Sequence, residues 1–116
     1  MPVEVLGAEP GVAAARKLLR SVFMKGVAAS CMESLRAARA AGCEDWMRQE
    51  IEGVLAGADA ALLERLVTGS ARHATRRIGE VADARELLSE LGVEPRVIVA
   101  AGGWLAQLES ERGRVP

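Results

Sequence analysis

The sequence has few of the residues on which metal binding, disulfide bonding and base stacking depend. It contains one histidine, two cysteines, one phenylalanine, two tryptophans and no tyrosine. Cys31 and Cys43 have neither a C-x-x-C nor a metal-ligand spacing, so we interpret them as free thiols in a reducing cytoplasm and expect no metal site. The formal net charge of −1 argues against a nucleic-acid-binding protein, which normally carries a basic surplus.

Two longer patterns are also absent. No apolar run reaches the ~18 residues that a membrane span requires, and the N-terminus lacks the charged and apolar regions of a signal peptide. Gly102-Gly103 lies within a helical pattern and follows no strand, so the glycine-rich dinucleotide-binding loop is missing. The sequence therefore predicts a cytoplasmic protein without a membrane segment, whose isolated chain does not bind a nicotinamide cofactor through such a loop.

What the sequence does contain is helical periodicity over nearly its whole length. Half of its 116 residues are hydrophobic, and the pattern predicts one all-α domain of about five helices. The longest helix is predicted from Pro10 to Ala41, with Gly42 just past its C-terminus. Between Leu18 and Met32 its apolar residues surround the axis, which is typical of a buried helix. We expect the other helices to pack around it.

The other four helices are predicted from capping residues and glycine stops. The second helix is predicted to begin at Glu44 and to stop at Gly57, and the third to begin after Asp59 and to stop at Thr68-Gly69. The fourth is predicted to begin at Ser70 and to stop at Gly92. The fifth begins at Glu94-Pro95 and runs to the charged tail 111–116, which we expect to fray. The alternating run in residues 3–7 predicts a short strand, which has no partner in an all-helical domain.

Lys17 has the most unusual surroundings on the long helix. It shares a helix face with small and apolar side chains and with Ser21, one turn later. Burial beside apolar groups lowers the pKa of a lysine, and this makes it a usable general acid or base near neutral pH. The alternative is a structural lysine whose stem covers apolar surface while its ammonium group stays in water.

The densest polar cluster consists of Arg72, His73, Arg76, Arg77 and Glu80. Spacings of four residues place Arg72 beside Arg76, His73 beside Arg77, and Arg76 beside Glu80 on the helix surface. Such a cluster either holds the carboxylate or phosphate of a small anionic substrate through its guanidinium groups, or forms a solvated face partly neutralised by the glutamate. The residues alone leave both interpretations open.

Two stretches resemble a known family. They are Gly11-x5-Lys17-x3-Ser21, continuing as Val22-Phe-Met-Lys25-Gly26, and the later run His73-Ala-Thr-Arg76-Arg77-Ile-Gly-Glu80-Val81. The chain resembles the helical C-terminal domain of the β-hydroxyacid dehydrogenase superfamily, which includes 6-phosphogluconate dehydrogenase and 3-hydroxyisobutyrate dehydrogenase. It is most similar to a branch of phosphogluconate-dehydrogenase-like C-terminal domains, and the resemblance spans nearly the whole chain.

The resemblance implies roles for five residues. Lys17 would be the catalytic acid/base at the substrate hydroxyl or carbonyl. Ser21 occupies the position where the family usually has asparagine, and a serine there has a shorter reach and one donor. Ser21, His73, Arg76 and Arg77 would contact the substrate.

The resemblance also implies partners. NAD(P) would be bound by a Rossmann-type nucleotide-binding domain, in the same or a separate polypeptide, and the helical domain would form an intertwined homodimer. Residues 1–8 would be a remnant of the last strand of that nucleotide-binding domain, and residues 9–110 would be the helical domain.

Two functions are compatible with these expectations. The first is the substrate-binding and dimerisation domain of an NAD(P)-dependent hydroxyacid-type dehydrogenase or reductase, inactive as an isolated chain. The alternative is a stand-alone, non-enzymatic helical dimerisation or ligand-binding module derived from that domain. Met1 at the start of the sequence, the missing cofactor domain and Ser21 in place of asparagine favour the alternative.

Overall fold

A computed structural model describes residues 11–113, and over this range the chain is all-α without any strand. Its helices are α1 (Val12–Ala40), α2 (Glu44–Ala56), α3 (Ala60–Arg72), α4 (Ala74–Glu90) and α5 (Arg96–Gly113). The predicted all-α fold with five helices is confirmed. The predicted strand and the N-terminal segment 1–8 lie outside the described residues. Helix α5 includes residues 111–113, the first part of the tail that we expected to fray.

Helix α1 ends where the sequence predicts. Gly42 has a φ of 81°, a left-handed conformation that glycine adopts without a steric penalty. The turn is closed by two hydrogen bonds, from Gly42 N to Arg39 O at 3.1 Å and from Cys43 N to Ala38 O at 2.8 Å. The Arg39 guanidinium then donates to both carboxylate oxygens of Glu44, at 3.1 and 3.0 Å. This ion pair connects the end of α1 to the first residue of α2.

Two further predicted caps are confirmed. Asp59 precedes α3, and its Oδ1 accepts a hydrogen bond from Leu62 N at 2.8 Å, which satisfies one of the free N–H groups of the first helical turn. Gly92 follows α4 with a φ of 74°. The reversal there is closed by Val93 N, which donates to Leu88 O at 2.9 Å.

The boundary between α3 and α4 differs from the prediction. Helix α3 does not stop at Thr68-Gly69 but continues to Arg72, and the chain leaves helical geometry at His73, with φ −112° and ψ 27°. Ser70 therefore lies inside α3 and caps nothing. Its hydroxyl instead accepts a hydrogen bond from Arg77 Nη1 at 3.0 Å. This hydrogen bond between Arg77 and Ser70 offsets the cost of having Gly69 inside the helix, which is ~1 kcal/mol relative to alanine.

The packed part of residues 33–113 lies among α3, α4 and α5, where α5 contacts both other helices and has its larger contact with α4. Ala74 at the start of α4 and Leu105 in α5 are buried there. The two helices approach most closely at Gly102, where an added Cβ would lie 3.0 Å from Val81 Cγ1. Glycine at this position allows the close crossing of α4 and α5.

The predicted burial of α1 is wrong for the chain by itself. The chain divides into two compact units, residues 1–32 and 33–116, and the described part of the first unit is the N-terminal two-thirds of α1. Leu18, Val22 and Phe23 are 68%, 73% and 65% exposed there. Apolar residues all round an axis indicate a helix that is buried, but the pattern does not say whether the covering surface belongs to the same chain.

Within the described residues, no helix is both long enough and apolar enough to cross a membrane.

Candidate functional site

Lys17 and Ser21 lie one turn apart on α1, in the first unit. The side chain of Lys17 is exposed and that of Ser21 is half-buried. Met24, on the same helix face, is also exposed. The apolar burial expected around Lys17 is therefore not observed within the first unit.

In the second unit, α3 and the start of α4 form an open pocket of about 580 Å³, which we call the α3–α4 pocket. Its polar lining consists of Glu64, Arg65, Thr68, Arg72, His73 and Arg77. Arg65, Thr68 and Arg72 recur at spacings of three and four positions, so they form one stripe along α3, and Glu64 lies one position before Arg65. His73 and Arg77 complete the lining from the junction and from α4, because the chain leaves helical geometry at His73 between the two helices.

Arg77 is held in place within this pocket by two neighbours on α3. Its guanidinium lies directly over Gly69, where an added Cβ would be 3.0 Å from Nη2. Nη1 donates to Ser70 Oγ at 3.0 Å. Because the group is half-buried and anchored at one nitrogen, its remaining donors keep a defined orientation for an incoming acceptor.

His73 lies between cationic side chains. Partial burial lowers its pKa below the usual value, and the positive charges of Arg76, Arg77, Arg72 and Arg112 lower it further. Both causes disfavour the imidazolium form. His73 is therefore a neutral hydrogen-bonding group near neutral pH in the absence of an anion.

Arg112 extends the cluster from α5. Its Nη1 donates to the backbone carbonyl of Arg72 at 2.9 Å, at the last residue of α3. On the neighbouring surface, Thr75 Oγ1 donates to the Glu109 carboxylate. These two contacts fix the C-terminal part of α5 against the junction of α3 and α4.

Arg76 points elsewhere. It forms an exposed ion pair with Glu80, with 3.6 Å between Nε and Oε1, and it does not line the α3–α4 pocket. Of the predicted substrate contacts in this cluster, the structure therefore brings His73 and Arg77 together in one pocket and turns Arg76 toward Glu80. Their roles in substrate binding stay predictions.

The sequence prediction missed Arg65 as a member of this cluster. Arg65 and Arg72 are seven residues apart, two turns along the same face of α3. The spacing was available in the sequence, but the helix was predicted to end before Arg72. Because the predicted helix ended at Gly69, the row of residues from Arg65 to Arg72 was not recognised as one face of a helix.

Other arrangements that could carry chemistry are few in residues 11–113. No three of the His, Cys, Asp and Glu side chains described there come together as metal ligands. Cys31 and Cys43 are both half-buried and free. A second open groove of about 530 Å³ lies between α4 and α5, with an apolar wall that includes Val81 and Val99. The α3–α4 pocket is thus the best-defined candidate site in the second unit, and what it offers is anion binding.

The chain is similar to a described protein family and to a protein of another organism. A family described as a domain of unknown function, DUF1932, matches residues 38–108. An uncharacterized 28.5 kDa protein in the 7S RNA 5′ region of Methanothermus fervidus is 27% identical over 109 residues, which are 94% of this chain and 43% of that protein. The chain thus spans less than half the length of this relative. No solved structure matches the chain significantly.

Proposed function

The chain belongs to the DUF1932 family, helical domains associated with 6-phosphogluconate dehydrogenase-like, NAD-binding proteins, and from this membership we propose that it is the substrate-binding and dimerisation domain of an NAD(P)-dependent hydroxyacid-type dehydrogenase or reductase. The single observation that carries the proposal is the match of residues 38–108 to that family. The match begins at Ala38, so the roles of Lys17 and Ser21 rest on the resemblance of residues 11–26.

The cofactor site belongs to a partner in this proposal. The described residues do not fit a dinucleotide, because Gly102-Gly103 lies inside α5 and Gly102 packs against Val81 instead of facing a phosphate. A Rossmann-type domain in the same or a separate polypeptide would hold NAD(P), which supplies the hydride chemistry. The residues of this chain would bind the substrate, orient it and move its proton.

Lys17 is the proposed acid/base at the substrate hydroxyl or carbonyl, and Ser21 is its polar neighbour one turn away. Closure by a second surface would exclude water from the exposed Lys17 face, and desolvation favours the neutral amine that a general base requires. His73, Arg76 and Arg77 are the proposed contacts to a small anionic substrate.

Dimerisation is supported by the exposed apolar surface of α1. Leu18, Val22 and Phe23 are each more than 60% exposed, and large contiguous apolar surfaces of this kind indicate an interaction site. Because the apolar positions surround the axis, one flat contact would leave some of them in water. An intertwined homodimer, in which a second copy and the nucleotide-binding domain enclose the helix, would cover them all.

The first experiment is to read the natural reading frame upstream of Met1 and then to test Lys17 in the protein that includes a nucleotide-binding domain. A strand and a G-x-G-x-x-G turn in that frame, or a separate domain of this kind that co-purifies with the chain, are the expected findings. Lys17→Met should then lower kcat for small hydroxyacids by about 10² to 10⁴, the usual contribution of a positioned acid or base.

The matched control is Lys25→Met. The chain contains two lysines, both on α1 and both exposed, so this variant makes the same chemical change two turns away and should leave kcat within about twofold of the unmodified protein, as expected for a surface substitution. An unchanged kcat for Lys17→Met would refute the catalytic role. If no nucleotide-binding domain is encoded with the chain or isolated with it, the dehydrogenase proposal is wrong.

A further inference from the structure

Helix α1 has a glycine, Gly26, in its interior. A Cβ added at this position would meet nothing within 4 Å among the described residues, so close packing of these residues does not require a glycine there. Glycine inside a helix destabilises it relative to alanine, because the glycine backbone has more conformational freedom to lose. Gly26 therefore weakens α1 locally without a compensating contact in the described part of the chain.

A serine hydroxyl weakens the same turn of α1. Ser30 Oγ donates a hydrogen bond to the Gly26 carbonyl at 3.0 Å, the oxygen that also accepts from the backbone N–H of residue 30 in a regular helix. A hydroxyl that shares this acceptor slightly destabilises a helix and often bends it, and glycine together with serine is a known cause of kinks. The two other serines of α1, Ser21 and Ser34, make no such bond to the described residues.

The part of α1 that precedes this turn has few interactions that would keep it straight. Residues 12–32 contain four cationic residues and no acidic residue. An i,i+4 ion pair, which stabilises many exposed helices, therefore cannot form within this stretch. Its large apolar side chains are exposed, as Val22 and Phe23 show. This part of the helix thus depends mainly on its own backbone hydrogen bonds.

The part of α1 that follows the turn is held in place. Glu33 accepts hydrogen bonds from two backbone N–H groups in the first turn of α5, and Ala38 is buried. The division of the chain into two compact units also falls within α1, between residues 32 and 33. The weakened turn therefore lies just before the point at which α1 becomes fixed to α5.

We propose that residues 26–30 form a hinge in α1, and that bending at this hinge moves the N-terminal part of the helix, with Lys17, into and out of its working position. Gly26 and Ser30 are thus positioning residues for Lys17. The role of Lys17 rests on the proposed function, in which a second surface closes over its face, whereas the hinge itself rests on the two weakening features. The hinge lets this part of α1 follow the closing surface while Glu33 stays bound to α5.

The distance from the hinge to Lys17 makes a small bend sufficient. Lys17 lies nine residues before Gly26, which is about 14 Å along the helix at ~1.5 Å per residue. A kink of about 20° would displace the backbone at this distance by about 5 Å. Misplacement of a reacting group by about 1 Å already costs about 10²-fold in rate. Bending at the hinge therefore switches Lys17 between a productive and an unproductive position.

The test is a measurement of backbone N–H residual dipolar couplings on the weakly aligned full chain, which requires no cofactor-binding domain. A straight, rigid α1 would give couplings from residues 14–24 and from residues 31–39 that fit one helix axis with one alignment magnitude. We expect axes inclined by about 20° or more, or a smaller alignment magnitude for residues 14–24. The second result reports hinge motion on the microsecond to millisecond timescale.

Variants test the two hinge residues. Gly26→Ala combined with Ser30→Ala should make both sets of couplings fit one straight helix, since alanine removes both causes of weakness. Ser30→Thr should keep the bend, because a threonine hydroxyl can donate to the same carbonyl. The matched control is Gly53→Ala combined with Ser34→Ala, which makes the same chemical changes outside the hinge, with nothing within 4 Å of the Cβ added at residue 53. Circular dichroism verifies helix content in all variants.

Turnover tests the positioning role in the protein that includes a nucleotide-binding domain. The double variant Gly26→Ala/Ser30→Ala should lower kcat at least about tenfold, because Lys17 no longer reaches its working position. Ser30→Thr and the matched control should leave kcat close to that of the unmodified protein. Rescue by threonine separates the hinge from a general loss of helix stability, since the double variant contains the better helix formers.

Three results would overturn the proposal: couplings that fit one straight helix in the unmodified chain, a bend that persists in the double variant, or an unchanged kcat when the bend is lost. The couplings are independent of the Lys17→Met experiment, which measures turnover. If Lys17→Met leaves turnover unchanged and the couplings show the bend, the catalytic role falls and the hinge stands. If Lys17→Met abolishes turnover and α1 is straight, the reverse holds.

Discussion

The carboxylate of Glu33 in α1 caps the first turn of α5, 64 residues away, through Val97. Glu33 Oε1 accepts a hydrogen bond from Val97 N at 2.8 Å, and Oε2 accepts one from Ile98 N at 2.9 Å. Both bonds are partly buried. A negative charge at a helix N-terminus also interacts favourably with the helix dipole. One side chain thus satisfies two N–H groups and fixes the start of α5 to residue 33.

We expect Glu33→Gln to lower the free energy of unfolding by about 1–3 kcal/mol, the value of a partly buried hydrogen bond to a charged group. Glutamine keeps the shape but has one oxygen, so one of the two N–H groups loses its acceptor. Urea unfolding at a fixed protein concentration measures the change as a lower midpoint. Glu50→Gln, an exposed glutamate on α2, is the control, and an equal change in both variants would contradict the capping role.

A pair of adjacent glycines in α5 gives a second prediction. Gly102→Ala should destabilise the fold by about 1–3 kcal/mol, because the added methyl group would lie 3.0 Å from Val81 Cγ1 and overpack the crossing of α4 and α5. Gly103→Ala meets nothing within 4 Å and should be neutral or stabilising by up to ~1 kcal/mol, the helix propensity difference. Thermal unfolding of the two variants measures the difference, and equal melting temperatures would refute the close crossing.

The sequence predicted those helix ends that a single residue determines. Gly42 and Gly92 both adopt positive φ, and both could be identified because this conformation favours glycine for local steric reasons. Asp59 likewise caps α3 through its own side chain. In each case the cause and the effect are at most a few residues apart.

The sequence did not predict features that depend on a contact between distant residues. Gly69-Ser70 has the local pattern of a helix stop followed by a cap, but α3 continues to Arg72, and the Arg77 guanidinium lies over Gly69 and donates to Ser70. The stripe from Arg65 to Arg72 could be found only once α3 was known to reach residue 72. For α1, the apolar pattern predicted burial but could not identify the covering surface.

The single histidine gives a prediction about pH. The pKa of His73 is lowered by partial burial and by Arg76, Arg77, Arg72 and Arg112. The unfolded chain, in which the histidine has its ordinary pKa of about 6.5, therefore takes up a proton before the folded chain does. The contribution of His73 to the free energy of unfolding should be constant above this value and should fall as the pH drops from about 6.5 toward the folded-state pKa.

The measurement combines an NMR titration of His73 with urea unfolding between pH 5 and 8. Glu64 lines the same pocket and Glu109 lies on the packed α5, and both would oppose the arginines. A pKa of His73 at or above its ordinary value would show that these carboxylates prevail. His73→Gln should remove the pH dependence of the free energy of unfolding between the folded-state and unfolded-state pKa values of His73. If this variant keeps the full pH dependence, carboxylates elsewhere in the chain cause it.

The last prediction concerns the exposed apolar surface of α1. If this surface forms the proposed homodimer, Val22→Asn combined with Phe23→Ser should raise the dissociation constant at least about tenfold, since burying each such side chain is worth about 1.5–3 kcal/mol. Sedimentation velocity over a range of concentrations measures the association.

Helix α2 offers a matched control in Val54→Asn combined with Leu55→Ser, at two adjacent apolar residues that are 57% and 55% exposed. This variant removes a similar apolar area, so it separates a specific interface from general hydrophobic association. An equal effect of the two double variants would contradict an interface on α1. A wild-type chain that stays monomeric at all concentrations would refute self-association through this surface and leave the nucleotide-binding domain as the partner that covers it.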